Sequence, residues 1–120
     1  MVTETITYTD YNGVKRTEEW RFHLNKAEMV ELEVSIDGGF TEAVKKMQQT
    51  QDPKEIYKIF KEITMKAVGK KSPDGKMFVK NQAIIDEFFQ SEAYPEFFMT
   101  MLKNPEKCAD FMNALAPKGE

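Results

Sequence analysis

The stretch Thr3 to Leu24, TETITYTDYNGVKRTEEWRFHL, decides the fold. It is rich in Thr, Tyr, Ile, Val, Trp and Phe on both sides of Asn12-Gly13, and so reads as a β-hairpin. Pairing parity then constrains the turn. A two-residue Asn-Gly loop pairs Tyr11 with Val14 and sends Ile6 and Tyr8 to the face opposite Trp20, Phe22 and Leu24. An odd loop, Tyr11-Asn12-Gly13 with Gly13 left-handed as a bulge, brings all five to one side and is preferred. A lone hairpin is marginal in water, so this apolar face must pack on the rest of the chain or on another chain.

Beyond Leu24 the chain reads as helix. Asn25 and Glu28 are spaced as an N-cap and its reciprocal partner. Val30, Leu32, Val34 and Ile36 alternate with polar residues as a strand would, but the cap favours a helix over Lys26 to Ser35. Asp37-Gly38-Gly39 stops it, and Thr41 can cap a second helix through Gln49. Asp52, Pro53 and Glu55 start a third, whose Ile56, Ile59, Phe60, Ile63 and Ala67 form one stripe and which Gly69 ends. Ser72-Pro73-Asp74-Gly75 is a turn. Asn81 caps a fourth helix with Ile84, Ile85, Phe88 and Phe89. A fifth starts near Ala93, with Tyr94, Phe97, Phe98, Met101 and Leu102. A sixth begins after Asn104-Pro105 with Cys108, Phe111, Met112 and Leu115. The expectation is one α+β domain over residues 1–120, mostly α: a hairpin over 3–24, a compact bundle of five to six short helices over 26–115, and a frayed tail over 116–120.

Composition agrees with a single core. The chain has 120 residues, 41% apolar and 31% charged, enough to bury one core behind a solvated surface. A single Cys cannot form an internal disulfide, no signal-peptide pattern opens the sequence, and no apolar run spans a bilayer, which points to a reducing cytoplasm.

Side chains that support catalysis are scarce. His23 is the one histidine, on the more polar face of the hairpin, where a surface role is expected. With one His and one Cys a zinc site lacks ligands, and Cys108 on an apolar stripe reads as a buried, inert thiol. The glycines match no phosphate loop, and Asp37 and Asp74 sit in no calcium-loop spacing. Neither an enzyme nor a cofactor is expected.

Charge is uneven along the chain. Residues 52–80 hold eight Lys against four acids, while 81–120 hold seven acids against three Lys. Lys66, Lys70, Lys71, Lys76 and Lys80 could meet phosphate, but a solvated helix end explains them as well, and the absence of Arg there argues against base readout. The net charge of -3 also opposes general nucleic-acid binding.

Five of the nine Phe and three of the eight Met lie beyond Asn81. Phe88-Phe89 and Phe97-Phe98 cannot both centre one narrow stripe, because helical neighbours differ by about 100°. A small core absorbing the whole broad arc is the default. The alternative is a partner surface made from Phe88, Phe89, Phe97, Phe98, Met101, Phe111 and Met112, where rings anchor and Met adapts.

The order Thr5-Ile6-Thr7-Tyr8-Thr9-Asp10, Asn12-Gly13, Phe22-His23-Leu24-Asn25-Lys26-Ala27-Glu28 and Asp37-Gly38-Gly39 resembles tail assembly chaperones of long, non-contractile-tailed phages (siphophages). Lys71-Ser72-Pro73-Asp74-Gly75-Lys76 with Phe78, and Glu92-Ala93-Tyr94 with Phe97-Phe98-Met99, extend the similarity over nearly the whole chain. The resemblance implies a non-enzymatic protein of the host cytoplasm, absent from the mature virion. It would bind the tape measure protein, keep it soluble and help recruit tail tube subunits. It also implies a longer frameshifted form, for which Ala116-Pro117-Lys118 allows a slippery codon run. Self-association is compatible with the open hairpin edge. The competing reading is a small phage regulatory or nucleic-acid-associated protein using the segment Lys66 to Lys80.

Overall fold

The computed structural model describes residues 1–36, 38–49 and 52–115. The expected tail over 116–120, the codon-run residues Ala116-Pro117-Lys118 and the turn residue Asp37 lie outside the described residues. Strands β1 (Val2–Thr9) and β2 (Lys15–Phe22) form the hairpin, followed by α1 (Lys26–Ser35), α2 (Gly39–Gln49) and α3 (Pro53–Ala67). Two short strands come next, β3 (Val68–Lys71) and β4 (Phe78–Val79), and then α4 (Gln82–Phe89), α5 (Ala93–Leu102) and α6 (Pro105–Leu115). The fold is α+β and mostly helical, with a four-stranded antiparallel sheet in the order β1-β2-β3-β4.

The hairpin takes the odd loop. Thr9 pairs with Lys15 and Ile6 with Glu18, the Asp10 amide donates to the Val14 carbonyl at 2.8 Å, and Gly13 has φ +80°. Residues 11–13 are therefore a three-residue loop closed by a glycine bulge. Asp10 fixes it further. Its carboxylate accepts from the Asn12 and Val14 amides and from the Arg16 guanidinium at 2.7 Å, which together hold the acid below the usual carboxylate range, with Arg16 the largest influence. Ile6, Tyr8, Trp20, Phe22 and Leu24 are all buried, as the parity of the pairing requires.

Two strands escaped the sequence reading, which ended the third helix at Gly69 and placed only a turn after it. The chain leaves α3 at Ala67 and runs straight into β3, which pairs Phe22 with Val68 and Arg21 with Gly69 on one side, and Lys70 with Val79 on the other. Gly69 is required by close approach rather than by a helix stop. A Cβ there would come within 2.6 Å of the Phe78 ring and 2.7 Å of the Val79 carbonyl. The Ser72 to Gly75 turn links β3 to β4, with the Gly75 amide donating to the Ser72 carbonyl at 2.8 Å.

Four of the helices begin where a side-chain cap stands, while α5 has no cap hydrogen bond from Glu92. Asn25 and Glu28 complete the reciprocal capping box, the Asp52 carboxylate accepts from the Lys54 amide, the Asn81 side chain from the Ile84 amide and the Asn104 side chain from the Lys107 amide. Helix α2 starts at Gly39 rather than after Thr41. Its cap comes from outside, since the Glu33 carboxylate of α1 accepts the Phe40 amide at 2.8 Å.

One core joins the two ends of the chain. Phe22 stacks on Phe97 at 5.3 Å and meets Phe88 and Phe111 edge-on at 5.5 and 5.3 Å, while Trp20 lies 4.8 Å from Phe88. The apolar face of the hairpin is thus covered by α4, α5 and α6. Phe60 and Ile63 bring α3 into the same core, and Leu32 brings in α1.

Candidate functional site

Three features were legible as candidates in the sequence: the histidine and thiol, the lysine-rich segment and the Phe/Met arc. His23 is not simply a surface group. Phe78 of β4 covers the polar side of the hairpin and meets the imidazole edge-on at 6.0 Å, and Nδ1 is buried with no hydrogen-bond partner among the described residues. Burial first, then the N-terminal amino group and Lys80, lower its pKa against the pull of Glu28. Cys108 lies within the core, where burial pushes its thiol up to about 12, so it is not an activated nucleophile. Among the described residues no group of His, Cys, Asp and Glu is arranged to hold a metal ion.

The lysines are largely engaged within the fold. The Lys80 ammonium points inward, donating to both carboxylate oxygens of Glu28, to the His23 carbonyl and to the Lys66 carbonyl, each at 2.7 Å. One cation therefore ties the end of β2, the capping box of α1 and the last turn of α3. Burial lowers its pKa and Glu28 opposes that shift. Lys66 pairs with Glu31 at 2.9 Å and Lys70 with Glu87 at 3.0 Å. Of the five, only Lys71 and Lys76 lack an acidic partner among the described residues, so the segment presents little net cationic surface.

The Phe/Met arc divides. Phe88, Phe97, Met101, Phe111 and Met112 are between 0% and 4% exposed and form the core under the sheet. Phe89 and Phe98 are half-buried at its margin. Helical geometry makes the separation: Phe88 and Phe97 face β2, and their immediate neighbours are turned by about 100° toward the rim.

At that rim the rings continue in an unbroken row. Phe89 lies 4.4 Å from Tyr94, Tyr94 6.0 Å from Phe98, and Phe98 5.1 Å from Tyr57 of α3, with the Lys61 ammonium 5.5 Å from the Tyr57 ring. Tyr57 is 39% exposed. Tyr94 is buried, its hydroxyl has no acceptor among the described residues, and burial drives its pKa upward. Tyr57 was missed in the sequence because it stands beside Ile56 on a helix whose apolar stripe accounts for its neighbours. Its spacing with Lys61, four residues on, was the available signal. A second exposed apolar strip lies on α1, where Val30 and Val34 are open to solvent.

The geometry defines a small α+β domain whose core is sealed and whose margin carries a ledge of partly exposed rings. The particular family emerges from comparison. A family model described as phage tail assembly chaperone matches residues 1–119, and the chain belongs to that family. Searches of curated proteins and of solved structures gave no match. No described helix is long and apolar enough to cross a membrane.

Proposed function

We propose that this chaperone binds the tape measure protein of a long-tailed siphophage, keeps it soluble in the host cytoplasm, helps recruit tail tube subunits around it and departs before the virion is complete. Membership of the family over residues 1–119 carries the reading. The aromatic row of Phe89, Tyr94, Phe98 and Tyr57 supports it and narrows the partner surface. Of the seven Phe and Met residues expected to contact a client, Phe89 and Phe98 do so, while Phe88, Phe97, Met101, Phe111 and Met112 hold the ledge from beneath. An apolar helix face laid on the ledge would cover the exposed parts of Phe89, Phe98 and Tyr57.

Pairing of Lys66, Lys70 and Lys80 with Glu31, Glu87 and Glu28 disfavours a nucleic-acid role. Co-expression with the tape measure protein from the same phage tests the proposal. The two should co-purify, and Tyr57→Ala with Phe98→Ala should abolish capture while the chaperone stays folded. A tape measure protein equally soluble with and without the chaperone removes the proposal, as does salt-sensitive binding to DNA without any client binding.

A further inference from the structure

The sheet has three open edges, and they are not equivalent. Strand β4 is two residues long. On the β3 side, β2 is paired only at Arg21 and Phe22, which leaves Lys15, Thr17 and Glu19 open, but this margin carries charges at Lys15 and Glu19. The outer edge of β1 is eight residues long, with neither Pro, Lys nor Arg and with Glu4 as its one charge. Charges, prolines and bulges are how natural edges avoid pairing with other chains, and on β1 itself Glu4 is the one such guard.

Hydrogen bonding identifies which amides are open. The Asp10 amide bonds to Val14 within the hairpin and the His23 amide bonds to the carbonyl of Ala67, the residue just before β3, so even positions of β2 face β1 and odd positions face away. In the observed register even pairs with even. The backbone groups of Thr3, Thr5, Thr7 and Thr9 therefore point outward, and among the described residues none has a backbone partner there. Alongside this edge runs a shallow slot bounded by Glu4, Thr5 and Thr7 on the strand, by Glu96 and Thr100 of α5 and by Lys107 of α6.

We propose that β1 pairs antiparallel with β1 of a second copy of this chain, joining two sheets across a two-fold axis at Ile6. The strand is complementary to itself in that register. Thr3 faces Thr9 of the second copy, Thr5 faces Thr7, and Ile6 faces Ile6, so threonine pairs line one face and an apolar pair lies on the other. The one charge, Glu4, faces Tyr8 of the second copy and meets no like charge directly. The pairing is independent of the client surface, which lies at the margin of α3, α4 and α5.

Sedimentation velocity over a concentration series, on the full chain, decides the matter. The wild type should shift from 13.9 kDa to twice that mass as concentration rises. Thr5→Pro removes an outward amide and leaves every β1–β2 bond intact, so near-ultraviolet circular dichroism and the unfolding midpoint should not change. Through the symmetric loss of two hydrogen bonds its dimer dissociation constant should rise by about 30-fold or more. Thr5→Lys with Thr7→Lys sets lysine against lysine and should give a folded monomer even if the proline variant fails to fold. A wild type that stays monomeric into the millimolar range overturns the proposal. So does a dimer that the folded variants leave intact, or a monomer whose edge substitutions reduce only client capture.

Discussion

Phe97 and Phe98 are adjacent, yet truncating each should have a different consequence. Phe97 is 3% exposed and packs against Phe22, Phe60, Phe88 and Phe111 at 5.1 to 6.1 Å. Removing a ring so enclosed costs about 3 to 5 kcal/mol. Phe98 is half-buried, with Tyr57, Phe60 and Tyr94 as its ring neighbours. Full burial of such a side chain is worth about 1.5 to 3 kcal/mol, so half of it gives about 0.8 to 1.5 kcal/mol for Phe98→Ala. In urea, where small domains lose about 1 to 3 kcal/mol per molar denaturant, Phe97→Ala should lower the midpoint by about 2 M and Phe98→Ala by well under 1 M. Client co-purification read beside the midpoints completes the test. Phe97→Ala should bind in proportion to its folded fraction, and Phe98→Ala should stay folded and lose binding. Equal losses of stability would refute the division between core and ledge. A stable Phe98→Ala that still captures the tape measure protein as well as the wild type would refute the ledge as the client surface.

Lys80→Met keeps the aliphatic stem and removes the ammonium that Glu28 and two carbonyls share; discounted for the 20% exposure of both partners, the loss should be about 2 to 4 kcal/mol in urea unfolding. Glu28→Gln should cost less, because the amide oxygen can still accept from the Asn25 amide. His23 has a folded pKa below its ordinary 6.5, so as pH falls through 6.5 the unfolded chain takes up the proton first and stability declines, levelling off below the folded pKa. His23→Gln should flatten the melting temperature over that window. It should leave untouched the more acidic loss from Asp10 and Asp74, whose lowered pKa values give a stabilisation present above 3.8 and lost as pH falls below it. Val34→Glu on the open face of α1 should change stability by no more than about 0.5 kcal/mol, measured the same way.

The elements most legible in the sequence were those with local rules. Parity alone selected the loop at residues 11–13, because only an odd loop puts Ile6 and Trp20 on one face. Caps at Asn25, Asp52, Asn81 and Asn104 marked the start of four helices, since a cap acts within three residues of itself. Misreadings came where a distant group supplied what a neighbour usually does. Glu33 reaches across from α1 to cap α2, and Thr41 is not needed. Strand β3 has a single strongly apolar residue, Val68, and exists because β2 offers an open edge beside it. The candidate surface was half legible. Composition located the rings beyond Asn81, but Phe88 and Phe89 are chemically identical, and only the position of β2 above α4 decides which of them is enclosed. Tyr57 joined the ledge through the packing of α3 on α5, which no local pattern records.

The contact of Trp20 and Phe22 with Phe88, Phe97 and Phe111 has a consequence for synthesis on the ribosome. Strands β1 and β2 carry the apolar face of the hairpin, and the rings that cover it, on α4, α5 and α6, are translated after them. Until α5 and α6 have cleared the exit tunnel, the nascent hairpin has no partner for that face, and its threonine edge is equally bare. Even the backbone closes late, since the Leu24 amide donates to the Leu115 carbonyl at 3.1 Å. The core around the hairpin therefore closes only once α4, α5 and α6 are available, and a ribosome stalled before Phe111 should display a hairpin whose apolar face is incompletely covered.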